Sequence, residues 1–597
     1  MSKNFFIIEY NGDGKSSLPG GREWSCVNHI PVVVNYGGAT NYYFFDSSGT
    51  KLCIIGRPFI NDKIDNNKFS ESYLSSEKSE DFLGRINGEF VLIEVDEKEK
   101  FIKIINSRFA SPIFWYVAEG NYFLGSTSYY HLCLRLKQLN KFHLNVESFY
   151  GFLRFRRLFG ESTYDKKSLY LKPAHVLIYS SENLNVVPYW KPSYEKNTFG
   201  LRSNADRLNS AIQNSIRRKT SDNKRYGMFL SGGMDTRTIL ANCDHPPHCF
   251  TLTYSQNREY HVAKTLASWK GAKHTWIPIH NGQCRENLDD SARITGGMYM
   301  VDGIFYGHSE YLEEYVDVIF AGYGFDYFFQ GMYLPYKSYR LLGRELYYRS
   351  LYKIDSDIIE YFINNISYYT KGFPVSQIMK KNKRNEMNEY LQHAVSELVS
   401  EARNYSDNVF DMWEHISLGA VSRHYTYGGQ LAMMELAEYR TIAYDNDLYD
   451  LYLELPVKQR FDAKVERVAL RLADRRFYNY ISANHSYPIK YSSLERSFFQ
   501  ILNSLKKRVL MKSNNDIPDP NSERTWKASE DILKTEMSDF VVALKDSAEL
   551  ASIGIFDMDS IRKAVGLWME GKVVGNQTFL VLLTIERFIR QINTSIN

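Results

Sequence analysis

The sequence predicts a strand-rich α+β sandwich, followed by an α/β domain with a doubly wound parallel sheet and a large helical C-terminal part. Short apolar runs separated by Gly, Asn and Asp turns fill residues 1–190. Short apolar strands then alternate with long amphipathic helical patterns, which is typical of a parallel sheet covered on both faces. From about residue 335 the pattern is almost wholly helical.

The chain has 597 residues, which is enough for at least two hydrophobic cores. We place the domains at 1–190 and 200–597, because the segment VVPYWKPSYEKNTFG, residues 186–200, mixes proline, glycine and polar residues as a linker does. Strands are expected at 4–9, 32–35, 42–45, 52–55, 89–95 and 101–105 in the first domain. In the second they are expected at 226–230, 249–254, 275–279 and 316–321.

Composition limits the classes of partner. The 73 basic and 69 acidic residues nearly balance, so we expect neither a nucleic-acid nor a membrane partner. No run approaches the roughly 20 apolar residues of a membrane span, and the first apolar run is too short for a signal peptide. Six scattered cysteines favour reduced thiols and therefore a cytoplasmic location.

One cysteine cluster deserves a separate interpretation. CDHPPHC places Cys243, His245, His248 and Cys249 within seven residues, and such a set can bind zinc. Two adjacent prolines stiffen the segment, and an apolar strand follows it directly. We interpret it as a connecting loop and keep zinc as the alternative.

An apolar strand runs directly into a glycine turn and a helix at GMFLSGGMDTRTIL, residues 227–240. Gly232 and Gly233 allow a sharp turn and a close approach to a ligand, and a helix begins near Asp235. Backbone amides at such a helix start bind anions, most often phosphate. The segment lacks the Lys of G-x-x-x-x-G-K-(S/T) and the third glycine of G-x-G-x-x-G. An ordinary strand-to-helix turn is the alternative.

A second glycine loop follows the strand at 316–321, in the segment GYGFDYFFQGMY. Gly322 and Gly324 frame Tyr323 and Asp326. In a doubly wound sheet this loop can face the first one across the cleft. Asp235 and Asp326 would then be two carboxylates near the same phosphates, a usual way to hold Mg²⁺. The alternative is a pair of unrelated, solvent-facing acids.

These motifs resemble a known family. S-G-G-x-D-(S/T), at residues 231–236, is similar to the pyrophosphate loop of ATP pyrophosphatases. With G-x-G-x-D-x-x-x-x-G roughly 90 residues later, the chain resembles the synthetase domain of asparagine synthetases. The resemblance implies Mg²⁺ at Asp235 and Asp326, and an acid near the nucleotide at Glu259. It also implies a set of ATP- and pyrophosphate-binding residues, namely Leu230, Ser231, Gly232, Gly233, Asp235, Thr236, Thr253, Gly322 and Gly324.

Later segments extend the resemblance over almost the whole chain. AEYRTIAYDNDLYDLYLELP is similar to the family's E-x-R-x-P-F-L-D segment through Glu438, Arg440 and Asp445, with Ile442 in place of the proline. PIKYS supplies Lys490 where the family carries a basic residue. The resemblance implies that Lys490 stabilises developing negative charge, and a surface charge is the alternative.

Residues 88–116 resemble the family's N-terminal glutaminase domain, which has an Ntn-hydrolase-like fold, with departures at Ser107 and Ala110. A glutamine-hydrolysing member needs Cys directly after the initiator Met, and this chain has Ser2 followed by Lys3. A hydroxyl is a much poorer nucleophile than a thiol near pH 7. We therefore expect this domain to be an inactive, folded support.

Tyr323 replaces the first Glu of the family's S-G-E-G-x-D-E loop. This resembles β-lactam synthetase and carbapenam synthetase, which also lack the N-terminal Cys and use a Tyr–Glu pair to deprotonate an amine. The resemblance implies that Tyr323 is the base and Glu438 its partner. A tyrosine that merely packs is the alternative.

The sequence thus predicts an AMP-forming carbon–nitrogen ligase that uses ATP and Mg²⁺ to activate a carboxylate as an acyl-adenylate, which an amine then attacks. The expected partners are a small-molecule or peptide carboxylate and an amine donor, and a homodimer is allowed. Three alternatives stay open: a glutamine- or ammonia-dependent asparagine synthetase, a non-catalytic binding or scaffold protein, and a sulfur-transferring or nucleotide-modifying ATP pyrophosphatase.

Overall fold

The computed structural model describes residues 4–14, 18–37, 42–60, 62–180, 183–301, 303–341, 344–485, 487–510 and 527–594. Its strands are β1 Phe5–Asn11, β2 Arg22–Val27, β3 Ile30–Gly37, β4 Tyr42–Ser47, β5 Thr50–Gly56, β6 Phe90–Asp96, β7 Phe101–Asn106, β8 Trp115–Glu119, β9 Tyr122–Ser126, β10 Leu169–Tyr170, β11 His175–Ser180, β12 Asn183–Pro188, β13 Tyr226–Phe229, β14 His248–Thr253, β15 His274–Pro278, β16 Val318–Ala321, β17 Tyr336–Leu341, β18 Arg344–Leu351 and β19 Glu438–Thr441.

The α-helices are α1 Asn66–Ser75, α2 Glu80–Arg85, α3 Tyr129–Gln138, α4 Val146–Phe155, α5 Leu201–Lys219, α6 Met234–Ala241, α7 Arg258–Lys270, α8 Gln283–Glu286, α9 Leu288–Ile294, α10 Ser309–Glu313, α11 Phe325–Phe328, α12 Ile358–Asn365, α13 Arg384–Arg403, α14 Val409–Leu418, α15 Tyr427–Met434, α16 Asn446–Glu454, α17 Val457–Arg460, α18 Lys464–Ala473, α19 Arg475–Asn479, α20 Ser493–Leu510, α21 Ser529–Thr535, α22 Ser538–Ala543, α23 Ala548–Ile553, α24 Met558–Met569 and α25 Asn576–Thr594. Short 3-10 helices lie at Val375–Gln377, Lys381–Lys383, Val421–Arg423, Phe461–Ala463 and Leu544–Asp546.

The first part of the chain is a sandwich of two antiparallel sheets, with strand orders β10-β8-β9-β1-β3-β2 and β12-β11-β7-β6-β5-β4. Alternate side chains of each sheet point inward, and residues such as Ile8, Ile93 and Ile104 are fully buried in one cluster. Phe69 and Tyr73 of α1 join a second cluster with Leu52 and Ile54 of β5. The predicted sandwich is confirmed.

The second part contains a parallel sheet with the order β15-β14-β13-β16-β19. Its first strand in the sequence, β13, lies between the second and the fourth, with Met228 paired to Cys249 on one side and to Phe320 on the other. The connections therefore run in opposite directions from β13, which creates a switch point between β13 and β16 where ligands bind in such sheets. The predicted doubly wound fold is confirmed.

The prediction that the chain beyond residue 335 is almost wholly helical is wrong at two places. β17 and β18 form an antiparallel hairpin, with Tyr336 opposite Leu351. β17 is largely exposed. Its sequence therefore lacks the apolar alternation that indicates a half-buried strand. β19 is buried but carries Glu438 and Arg440, and its burial depends on charge pairing.

The C-terminal helix α25 packs on α3, α4 and α9 and so returns to the first part of the chain. Phe588 stacks on Tyr129, with ring centroids 6.0 Å apart. The CDHPPHC segment connects α6 to β14, and its Cys243 and Cys249 are buried thiols. Within the described ranges no helix has the length and apolar character that crossing a membrane requires.

Candidate active site

The loop after β13 turns back on the start of α6. Gly232 has a φ of +67°, and a Cβ at this position would lie 2.8 Å from Val262 Cγ1, so only glycine fits without strain. The backbone amide of Ser231 donates to Thr236 Oγ1 at 3.4 Å, and that of Gly233 donates to Ser231 Oγ at 3.3 Å. Gly233 is the N-cap of α6, so amides and the helix dipole converge on an anion-binding corner.

Arg237 anchors this loop by hydrogen bonds to backbone carbonyl groups. The sequence analysis did not identify this residue. Its Nη2 donates to the Gly232 carbonyl at 2.9 Å and to the Ile481 carbonyl at 2.7 Å, and its Nη1 donates to the Phe477 carbonyl at 2.8 Å. Burial lowers the pKa of Arg237 to about 9, and the guanidinium stays charged at neutral pH. Because a trans peptide points its C=O and N–H in opposite directions, this anchor turns the Gly233 amide away from Arg237.

The two predicted loops touch each other. A Cβ on Gly322 would lie 2.7 Å from Asp235 Cβ and 3.1 Å from the Thr236 amide nitrogen, so the absence of a side chain permits this contact. Both loops follow neighbouring parallel strands, β13 and β16, at their carboxyl ends. The structure therefore brings the first loop and Asp326 together at the switch point.

Three carboxylates share this corner. Asp235 accepts a hydrogen bond from Gln330 Nε2, and the fully buried Glu466 of α18 accepts one from Thr238 Oγ1 at 2.9 Å. Burial raises the pKa of Asp235 to about 7. Burial, and then the negative charge of Asp235, raises the pKa values of Asp326 and Glu466 well above their usual range. Sequence reasoning missed Glu466, which carries no local motif.

The donor set fits Mg²⁺. Half-buried carboxylates that repel each other gain stability from a divalent cation, and Mg²⁺ prefers one or two carboxylates together with water and phosphate oxygens. No group of three or more His, Cys, Asp and Glu side chains in the described ranges is arranged as a metal site. The remaining ligands would therefore have to come from phosphate and water.

A cleft of about 240 Å³ opens above the two loops. Its walls are mainly apolar and include Phe229, Phe250, Leu252, Phe305 and Met433.

Two predicted nucleotide-binding residues on the β14 side lie in different environments. Glu259 is buried in the first turn of α7 and lines the cleft. Thr253 is not among the lining residues, and its hydroxyl donates to the Ser255 carbonyl at 2.8 Å and accepts from Trp276 Nε1 at 3.0 Å.

The structure does not bring Tyr323 and Glu438, the predicted pair, together. Tyr323 lies two residues beyond the carboxyl end of β16 and lines the cleft. Glu438 is opposite Val318 at the amino end of the neighbouring strand. Its carboxylate is held by Arg57 Nη2 and by Lys224 Nζ, each at 2.7 Å. Sequence similarity located the strand correctly but could not reveal which end of it faces the cleft.

The Tyr323 hydroxyl instead reaches α15, where a Cβ on Gly429 would collide with it. Lys490 is exposed and is not among the residues that line the cleft. Its backbone amide donates to the Tyr478 carbonyl at 3.1 Å, and its carbonyl accepts from Arg467 Nη2 at 2.8 Å. Ser2 and Lys3 lie outside the described residues.

Comparison with known proteins shows that the part of the chain with this site resembles a known family. Residues 207–479 match the asparagine synthase family. The chain is 27% identical over 199 residues to asparagine synthetase (glutamine-hydrolyzing) 3 of Bacillus subtilis, covering 32% of each protein. It is 24% identical over 155 residues to asparagine synthetase (glutamine-hydrolyzing) of Mus musculus, covering 22% of this chain and 26% of that one. The matches thus span a third or less of these relatives' length.

Two solved structures show only weak overall similarity. The glutamine phosphoribosylpyrophosphate amidotransferase of B. subtilis complexed with ADP and GMP has a TM-score of 0.19 at 8% identity, covering 46% of this chain and 59% of that one. A structure of the allosteric regulatory enzyme of purine biosynthesis has a TM-score of 0.20 at 9% identity, covering 55% and 70%. Scores this low carry no argument. The matched segment, residues 207–479, contains both loops and the cleft, and it is similar to the asparagine synthase family.

Proposed function

We propose that the chain is an ATP-dependent carbon–nitrogen ligase that activates a carboxylate as an acyl-adenylate, releases pyrophosphate and joins the acyl group to an amine. The contact between the loop at 231–236 and the Asp326 loop carries the proposal, because it sets an anion-binding corner beside carboxylates suited to Mg²⁺. The match of residues 207–479 to the asparagine synthase family supports it.

The nucleotide would lie across the switch point. The amides at 231–236 bind the pyrophosphate end, and Glu259, buried on the β14 side, accepts hydrogen bonds from the ribose hydroxyls. Asp235 and Asp326 would hold Mg²⁺, which would neutralise negative charge on the phosphates. Arg237 keeps the loop in the conformation that presents its amides.

Two nucleophilic displacement reactions then take place in the same cleft. In the first, a carboxylate oxygen bonds to the α-phosphorus and the bond to the β-phosphate oxygen breaks. In the second, the amine nitrogen bonds to the acyl carbon, a proton leaves the nitrogen, and the bond to the AMP oxygen breaks. Tyr323 lies on the cleft wall where it can accept that proton. For Lys490 to assist, its exposed side chain would have to move into the cleft.

Product analysis tests the proposal. The purified chain is incubated with ATP, Mg²⁺, hydroxylamine as the amine and a panel of carboxylic acids, and nucleotide products are separated by chromatography. We expect AMP and pyrophosphate in equal amounts, dependent on an acid, together with the hydroxamate of that acid. Formation of ADP and phosphate, or no turnover with any acid, would contradict the proposal.

An asparagine synthetase is the second candidate, because both relatives described above carry that name. Formation of asparagine from aspartate, ATP and either glutamine or ammonia would support it. The proposal that the first domain is an inactive support depends on Ser2, so a glutamine-driven reaction would contradict that part.

A further inference from the structure

We infer that the activated acid carries an apolar, uncharged substituent beside its reacting carboxyl group, and that an acid with a second carboxylate there is rejected. This inference rests on the proposed function and names the substrate class of the same site. It follows from the position of the acyl group in the cleft and from the side chains it would meet there.

The nucleotide determines which wall the acyl group faces. The phosphate corner is central, between β13 and β16. Glu259 follows β14 and lines the cleft on that side, and in the proposed binding mode it accepts the ribose hydroxyls. With the sugar on the β14 side, an acyl group on the α-phosphate faces the opposite wall, which Phe305, Tyr323 and Met433 line.

That wall is apolar and built from well-packed residues. Met433 is 3% exposed near the end of α15. Phe305 packs edge-on against Phe229, with centroids 6.1 Å apart. A methionine beside two aromatic rings forms a surface that adapts to an apolar group. Among the three described residues of that wall, only Tyr323 carries a polar side-chain atom.

The ionisable side chains in the described lining of the cleft are all acids. The ionisable lining residues that the structure describes are Asp235, Asp326, Glu259 and Tyr323, and the described lining contains no lysine or arginine. A second carboxylate on the substrate would lose its hydration against this apolar wall, with no side-chain cation in the described lining to compensate it. An unpaired charge of this kind is an effective device for rejecting a substrate.

A matched pair of acids tests the inference. N-acetylleucine and N-acetylaspartate differ mainly in an isopropyl group against a carboxylate, and N-acetylasparagine is the neutral polar control. ATP–pyrophosphate exchange is measured with each acid at several concentrations. We expect kcat/KM for N-acetylleucine to exceed that for N-acetylaspartate by at least about 10-fold, with N-acetylasparagine between them.

The outcomes separate this inference from the proposed function. Exchange that is faster with N-acetylaspartate overturns the inference and leaves the ligase standing. The panel is also extended to free amino acids and 3-phenylpropanoate. If none of these acids supports exchange, the inference and the proposed function are both overturned.

A variant tests whether Met433 belongs to the wall that the acyl group faces. Met433→Lys adds a cation to the acyl side and should shift the ratio of the two acids by at least about 10-fold toward N-acetylaspartate. Met434→Lys is the matched control, because Met434 follows on the same helix but does not line this cleft, and its ratio should equal that of the wild type. An unchanged ratio in a folded Met433→Lys protein contradicts the assignment of the wall. If that variant does not fold, the wild-type comparison still decides the inference.

Discussion

Arg57 and Glu438 form a two-point ion pair between the sandwich and the parallel sheet, with Nε to Oε1 at 2.9 Å and Nη2 to Oε2 at 2.7 Å. Arg440 Nε donates to the same carboxylate at 2.7 Å. The pair thus fixes the amino end of β19. Beyond the carboxyl end of β19, Ala443 lies against Gly324 of the second loop. The sandwich therefore contacts and holds the strand beside the candidate site.

Glu438→Gln should destabilise the protein by an amount that depends on pH. Burial alone would raise the pKa of Glu438, but Arg440, Arg57 and Lys224 outweigh burial and lower it to about 2. A glutamate in the unfolded chain has a pKa of about 4.3. The carboxylate therefore contributes stability on the order of 3 kcal/mol above about pH 5, which is lost as the pH falls from about 4 to 2.

Thermal unfolding at pH 7, 5, 4 and 3 measures this effect. The gap in midpoint between wild type and Glu438→Gln should be wide at pH 7 and 5 and should narrow toward pH 3. Asp539→Asn is the control, because Asp539 pairs with Arg285 in an exposed position, where ion pairs contribute about 0–1 kcal/mol. A Glu438→Gln midpoint equal to that of the control at pH 7 contradicts the role of the pair.

Tyr323→Phe should separate the two half-reactions. It removes the hydroxyl and keeps the ring, so adenylation, which needs no base for the amine, should continue. Amide formation should fall by about 10²- to 10⁴-fold, the usual contribution of a positioned proton acceptor. Single-turnover assays of pyrophosphate release and amide product measure the two steps.

Glu438→Gln serves as the comparison for Tyr323→Phe. Because Glu438 lies at the far end of β19 in ion pairs, its substitution should change both half-reactions together or neither. A selective loss of amide formation in Glu438→Gln would restore the pair that the structure separates. Normal amide formation in Tyr323→Phe would mean that the tyrosine only packs.

Arg237→Met should weaken ATP binding. The arginine donates to the Gly232 carbonyl, and without it the loop amides lose their fixed orientation. Because those amides contact the phosphates in both ground and transition states, KM for ATP should rise about 10-fold with kcat changed much less. Arg237→Lys should recover part of the loss.

The control for Arg237 is Arg476→Met. Arg476 is largely exposed on the nearby α19 and pairs with Asp474. The KM of the Arg476→Met protein for ATP should therefore match that of the wild type. Far-UV circular dichroism confirms that both variants fold. An unchanged KM in folded Arg237→Met would show that the arginine serves packing alone.

Apolar patterning was sufficient to predict most of the fold. The strand expected at 42–45 is β4, Tyr42–Ser47, and the one expected at 316–321 is β16, Val318–Ala321. Each is an apolar run bounded by turn residues, and burial of such runs is a local property of the chain. The exposed hairpin β17–β18 and the charged strand β19 lacked that signal.

The sequence predicted that two loops would meet, because a glycine motif marks each of them. Asp235 and Asp326 follow strands that the sequence made visible, and the sheet topology brings their loops into contact. Glu466 and Arg57 act through partners 228 and 381 residues away, respectively. Periodicity indicates that such a residue is buried, but the identity of its partner depends on the three-dimensional packing.

Exchange of labelled pyrophosphate into ATP, with Mg²⁺ and an acid but no amine, tests acyl-adenylate formation most directly. We predict that exchange depends on the acid and falls by at least about 10²-fold in Asp235→Asn and in Asp326→Asn, with the fold retained and Asp539→Asn unaffected. Exchange at the wild-type rate in either variant, or exchange that is independent of any acid, would contradict the proposed site.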